Sequence, residues 1–570
     1  MGKGLVLPFR PEGCSGRTCP VYVLDLFDPA YNLHWMISTV NAYEQLVCAR
    51  LFDYFSSRTH WNRSLWNVGT LLALREVLEA SEAQNQGHLK DTAIRGVVAT
   101  ALRLLHDDPG LGTPLDRSAL VALLTFNGAP REEVPFQGLE YEAIKEIVEK
   151  AAPQYLERWA TALSARNSPA AERTSRAIAS HLLDRGFHSD FLHRWWTWRF
   201  NNPPDLETPL ASVLQEASAL ASRPDVDYEV LIPFPTPLQA PRDLLPPASW
   251  IDSTAVGEWL HANNSVIPHG VRQQGGLLLK VKACDPEAAV LFAAERVELF
   301  SARVLLSTRK QVEHFPLACV KGKAKAYSIE RRLRGIRIGA MHRENRIWLE
   351  SEPDPYIDPA IELLALLQNG SSSAAIAGGW AAIESLLSEP RSKRPVNPAE
   401  RLATIVACSF PRAELTDLAY TLIERKDQFA QALQTLETNK EKAGHVAKAI
   451  LDGTLPELTT WSDRAAVERI REILLHPHET ITKIRDHIFD TFQRLYRQRN
   501  LVLHAGKTQA VALRATLSRA TPLVGAGLDR IAHARFVGDL RPIQLAGRAR
   551  TALDTISADD PLKIVDLLGI

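Results

Sequence analysis

The sequence predicts a mainly α-helical protein with a small α/β (α+β) central domain. Three observations carry this. Apolar residues recur at helical spacing over most of the chain, two-residue alternation takes over between about residues 275 and 351, and prolines cluster on both sides of that change. The chain has 570 residues, 45% of them hydrophobic, and its 66 basic and 66 acidic side chains cancel. A length of this order suits about three or four domains. The balance of charge and hydrophobicity excludes a largely disordered chain and a uniformly basic nucleic-acid binder.

The first domain, 1–205, is expected to be helical from about Pro29. VGTLLALREVLEAS places Leu71, Leu72, Leu74, Val77 and Leu78 at helical spacing, and TAIRGVVATALRLL does the same behind Asp91, a candidate N-cap. FLHRWWTWRF gathers Trp195, Trp196, Trp198 and Phe200 beside His193, Arg194 and Arg199. Such a cluster can stack bases, but a core helix packing large rings is the plainer reading. Asn201 to Pro204 stop it. Prolines at 233, 235, 237, 241, 246 and 247 argue for a surface connection and against a central strand, with DYEVLI before it as a short strand.

The second domain, 225–352, opens with LLLKVKAC as a strand. Asp285 and Pro286 then start a helix over EAAVLFAAERVELF. ARVLLS, CVKGKAKAYSI, IRIGA and RIWLE follow as strand candidates. Alternation in VKGKAKAY puts Lys321, Lys323 and Lys325 on one strand face, and Arg331, Arg332, Arg334, Arg337 and Arg343 follow. These eight basic residues share the segment with a single acid, Glu330. The stripe suits an RNA phosphate backbone, or equally an edge strand kept soluble by lysines.

Pro353, Pro355 and Pro359 mark the entry to the third domain, 354–570, which reads as helical. No run of about 18 apolar residues is present, and MGKGLVLPFRPEG lacks the apolar centre of a signal peptide, so a cytoplasmic protein without membrane contact is expected. The six cysteines are scattered, with only Cys14 and Cys19 close, which fits reduced thiols. Phosphate-loop, dinucleotide, nucleophile-elbow and HExxH patterns are absent, and no Cys or carboxylate cluster joins His476 and His478. No cofactor and no metal are expected.

One segment stands out. RNLVLH places Arg499, Asn500 and His504 at the end of a long amphipathic helix. An Arg with a His five positions later also occurs at Arg176/His181, Arg309/His314, Arg337/His342 and Arg471/His476, so the spacing alone is uninformative. Only RNLVLH adds a carboxamide and closes a helix of this kind. The apolar stripe Ile481, Ile484, Ile488, Phe492 and Leu495 runs next onto Arg499, an expensive place for a charge unless it is paired or lies at an interface. On a helical wheel Arg499 and His504 point about 140° apart. Two antiparallel copies, or a break after Asn500, would bring them together, and the first option points to a symmetric dimer cleft.

RNLVLH resembles the RNxxxH signature of the HEPN domain, a helical bundle found in many prokaryotic ribonucleases. GWAAIESLL, with Trp380 and Glu384, looks like the first-helix motif of HEPN domains in ApeA-like proteins of bacterial anti-phage defence. LLDRGFHSDFLHRW, near residue 190, resembles a segment that precedes such C-terminal domains. The resemblance covers about a third of the chain. It implies metal-independent RNA cleavage, of tRNA or mRNA, to 2′,3′-cyclic phosphate and 5′-hydroxyl ends. His504 would transfer protons, Arg499 would hold the phosphate, Asn500 would orient either, and Glu384 would orient Arg499. A homodimer or higher oligomer, and a phage-derived or nucleotide trigger, are the partners it implies. Two other classes remain: a non-catalytic HEPN-like scaffold that binds RNA or protein and dimerises, and a metal-dependent nuclease with carboxylates from distant positions.

Overall fold

Helix starts follow the chemistry of their first residues. The computed structural model describes residues 42–163, 169–201, 209–236, 249–265, 273–330, 333–348, 353–389 and 397–570. The N-terminal helices are α1 (Ala42–Phe55), α2 (Thr70–Asn85), α3 (Asp91–Leu105), α4 (Pro114–Leu124), α5 (Leu139–Ala151), α6 (Tyr155–Leu163), α7 (Ala171–Arg185), α8 (Ser189–Asn201) and α9 (Pro209–Ala221). A two-stranded hairpin, β1 (Thr125–Phe126) and β2 (Ala129–Pro130), follows α4. Thr113 and Asp116 cap α4 reciprocally, with Pro114 in the first turn. Asp91 does not cap α3. It lies inside the first turn and accepts from Gln84 Nε2 at 2.9 Å.

The central segment is a five-stranded antiparallel sheet in the order β4-β5-β3-β6-β7. Its strands are β3 (Val226–Phe234), β4 (Trp250–Asp252), β5 (Gly275–Ala283), β6 (Leu317–Val320) and β7 (Ala326–Ser328). Helices α10 (Ser253–Ala262) and α11 (Pro286–Thr308) accompany it. Asp285 caps α11 by accepting from Ala288 N at 2.8 Å, with Pro286 behind it, as the sequence predicts. Strand alternation sends Val230, Ile232, Phe234, Leu277 and Val281 to a core with Ala289, Ala293 and Val297 of α11. It sends Leu231 and Cys319 to a second core with Val256 and Leu260 of α10.

Five expectations for this segment are corrected. Pro233 lies in β3, the central strand, rather than in a surface connection. It pairs with Gly276 of β5, while the ladder to β6 holds only Val230 and Leu231, so Pro233 sits beyond that ladder and its missing N–H costs no bond to β6. ARVLLS is the last part of α11, because no glycine or proline separates it from the helix before it. VKGKAKAY is a hairpin: β6 ends at Val320, Gly322 turns at φ 71°, and β7 begins at Ala326. IRIGA runs as irregular chain into α12 (Gly339–Arg343), and RIWLE forms no strand in its described part.

The C-terminal helices are α13 (Ile357–Asn369), α14 (Ser372–Leu387), α15 (Asn397–Ile423), α16 (Gln428–Thr435), α17 (Asn439–Leu451), α18 (Trp461–Leu475), α19 (Pro477–Ala505), α20 (Leu513–Gly538) and α21 (Pro542–Thr555). They pack directly on the N-terminal ones, α1 against α18 and α3 against α19. Arg63 reaches Glu414 at 2.9 Å and Asp463 at 3.0 Å, and Arg469 reaches the same fully buried Glu414 at 2.8 Å. A carboxylate held this way tolerates burial because several donors replace its water. Trp196 is buried, donates Nε1–H to Cys48 O at 3.3 Å and meets Phe52 edge-on, so it packs in the core as expected, while Trp198 is exposed.

Cys48, Cys319 and Cys408 are buried free thiols, and Cys284 is half-buried. Burial pushes Cys284 and Cys408 up to about 12, which leaves them unreactive thiols. Cys14 and Cys19 lie outside the described residues. Among the described residues no helix is long and apolar enough to cross a membrane.

Candidate functional site

The motif sits on the last two turns of α19, which continues without a break to Ala505. Gly506, at φ 63°, ends it in the left-handed conformation and donates to Leu501 O. The buried stripe Ile481, Ile488, Phe492 and Leu495 continues through Leu501 and Val502, and Arg499 is half-buried beside it rather than on it. The stripe expectation for Arg499 is therefore corrected.

A single copy already brings the motif together. Arg499 Nη1 lies 3.0 Å from Asn500 Oδ1 and 3.1 Å from His504 Nε2. The long arginine side chain spans the angle that separates the two Cβ directions. With a guanidinium donating, Nε2 is the acceptor and the imidazole proton belongs on Nδ1. Asn500 is half-buried and His504 exposed, with exposed Leu503 and Val511 nearby in sequence. None of the other four Arg/His pairs of this spacing forms such a contact among the described residues. His181 instead stacks on Tyr155 at 4.7 Å.

Glu384 does not join this group. It is exposed on α14 and pairs with no described residue. Its neighbour Trp380 is buried, and its ring lies 4.8 Å from that of Tyr496 on α19. The GWAAIESLL segment thus packs beside the motif helix without supplying a ligand to Arg499.

The basic segment does not form one face. Lys321 pairs with Glu229 at 3.0 Å, and Lys323 and Lys325 are exposed in the hairpin turn. The Arg334 guanidinium donates to Leu367 O at 2.7 Å and Gly370 O at 2.9 Å, tying down the end of α13. Arg343 pairs with Asp529. Arg331 and Arg332 lie outside the described residues.

Sequence reasoning missed the acidic seam that faces α19. Glu76, Glu79 and Glu82 follow one another at intervals of three along α2. Glu76 is buried and accepts from Arg494 Nε at 2.7 Å and Arg497 Nη2 at 3.4 Å, both arginines being buried too. Asn67 Oδ1 takes a further Arg494 donor at 2.8 Å. Glu79 accepts from Val511 N at 3.0 Å, and Glu82 from Lys507 Nζ at 2.8 Å. Burial pushes the Glu79 carboxyl up to about 7; Glu76 and Glu82 add to this, against the Val511 N–H and Lys507. The signal was the acid spacing inside VGTLLALREVLEASEAQN.

No family model matches this chain, and no curated protein or solved structure matches it either.

Proposed function

We propose that this protein is a cytoplasmic, metal-independent endoribonuclease of the HEPN type, a toxin or anti-phage effector that cleaves tRNA or mRNA. The observation that carries the reading is the contact of Arg499, Asn500 and His504 at one solvent-facing helix end. A guanidinium binds a phosphodiester bidentately and stabilises charge on it as the transition state forms. An imidazole moves protons near neutrality. The phosphate draws the Arg499 guanidinium off Nε2, which frees that nitrogen as a base. His504 takes the 2′-hydroxyl proton, the 2′-oxygen bonds to phosphorus, and the bond from phosphorus to the 5′-oxygen breaks. The departing oxygen takes a proton from water or from a second copy's imidazole. Exposed Leu503 beside the motif suits a homodimer contact, which light scattering at micromolar concentration tests. Among the described members of the basic run, exposed Lys323 and Lys325 suit a contact with RNA.

The test is incubation with RNA in EDTA. Products ending in 2′,3′-cyclic phosphate support the reading. Cleavage abolished by EDTA favours a metal-dependent nuclease, and RNA bound but uncut favours the scaffold.

A further inference from the structure

The chain that follows His504 is held by a different part of the protein. Within three residues of His504 the helix has ended, and a terminal turn frays unless something fixes its end. Gly506 supplies the turn but no side chain. Two anchors act beyond it, both from α2: the Lys507 ammonium on Glu82 at 2.8 Å, and the Val511 N–H on Glu79 at 3.0 Å. A third, buried anchor lies upstream, where Glu76 binds Arg494 and Arg497. The last turns of α19 are therefore pinned to α2 on both sides of the motif, by carboxylates more than four hundred residues earlier in the chain. Among the described residues, the Arg499 side chain bonds only to His504 and Asn500, and the His504 ring only to Arg499. Their placement rests on the backbone that these anchors fix.

We infer that Glu82 and Glu79 are positioning residues for His504, through which the N-terminal helices control the site. The inference rests on the proposed RNA cleavage for its catalytic meaning. Its structural content stands apart, because the anchors are defined without RNA. A trigger that shifts α2 would loosen the turn that carries the imidazole, while RNA contacts elsewhere stay intact.

The test uses the full chain with Glu82→Gln, Lys507→Gln and the charge-reversed pair Glu82→Lys with Lys507→Glu. Both positions are partly exposed, so neither substitution enters a packed core. Hydrogen exchange is read over residues 499–512 beside kcat and KM on single-stranded RNA. Each single variant should speed exchange in that window alone, and lower kcat about tenfold with KM nearly unchanged, as expected for a displaced catalytic group. The reversed pair should restore both. Exchange unchanged in the single variants, no recovery in the reversed pair, or a rise in KM with kcat kept would each overturn the inference. If the wild type cuts no RNA, the nuclease reading fails, and the exchange pattern alone decides whether α2 fixes the His504 turn.

Discussion

Arg499 lays its guanidinium 3.1 Å from the imidazole of His504, five residues on and across the helix from it. Side-chain length makes the contact possible. A helical wheel compares Cβ directions, whereas an arginine carries its charge several bonds beyond Cβ and can lie along the helix surface. The consequence is chemical. In the proposed reaction, the donor that would hold the phosphate occupies the nitrogen that would take the proton, so substrate would first have to separate the two.

Glu76 offers the first prediction, on stability. It is the shared carboxylate of two buried guanidiniums. Glu76→Ala leaves both without their bonded carboxylate, and breaking a buried pair this way costs about 3–5 kcal/mol. Arg497→Met should cost less than half as much, since its bond to Glu76 is 3.4 Å long and burial already opposes its charge. Denaturant unfolding of the two variants checks the order. Equal losses would overturn this order.

Glu79 gives a pH dependence. Its carboxyl titrates at about 7 in the folded protein, above the value for an exposed glutamate. A raised carboxyl pKa means that the folded state binds the proton more tightly. The contribution is therefore fully present below the unfolded pKa and is lost as pH rises through about 7, at a cost of about 3 kcal/mol. Glu79→Gln mimics the protonated group. It should melt above the wild type at pH 8 and with it at pH 4, below the unfolded pKa, because Glu76, Glu82 and Lys507 are common to both. An offset that is the same at both pH values would refute the assignment.

The described part of the basic run divides by its contacts. Lys323 and Lys325 are free in a turn, whereas Arg334 closes the end of α13. Replacing both lysines with Gln should weaken RNA binding and lower the slope of log affinity against log salt by about 1–2. Arg334→Ala should lower the melting temperature and leave that slope alone. A folded lysine variant with unchanged slope would assign the turn to solubility only.

What was legible in the sequence was local. The stripe from Ile481 to Leu495 marked α19, Asp285 with Pro286 marked the start of α11, and the period change near residue 275 marked β5, because each is written in neighbouring residues. KGKAK misled, since alternation across a tight hairpin looks like alternation along one strand until the glycine is known to turn. The partners of Arg494 were illegible for another reason. Its carboxylate lies 418 residues away, and periodicity carries no information on which helix meets which. The same blindness made Arg499 look like the buried charge of the helix, when Arg494 and Arg497 are.

The last prediction concerns the chemistry. If His504 moves the proton, His504→Ala should lower cleavage about 10²–10⁴-fold and leave fold and RNA affinity nearly intact, because a proton-transfer group acts in the transition state. Its ring is exposed and, among the described residues, bonds only to Arg499. Arg499→Ala should lose cleavage and part of the RNA affinity, since in the proposed reaction the guanidinium would bind phosphate in both ground and transition states. Its effect on stability should be small, as no described carboxylate is left behind. Glu384→Gln should cleave normally, because Glu384 is exposed and stands apart from Arg499. His476→Ala and His342→Ala share the spacing with an upstream arginine but make no contact with it, so they should cleave normally as well. Single-turnover rates and product-end analysis separate the cases. Full activity in His504→Ala, with either control dead, would move the proton-transfer group out of RNLVLH.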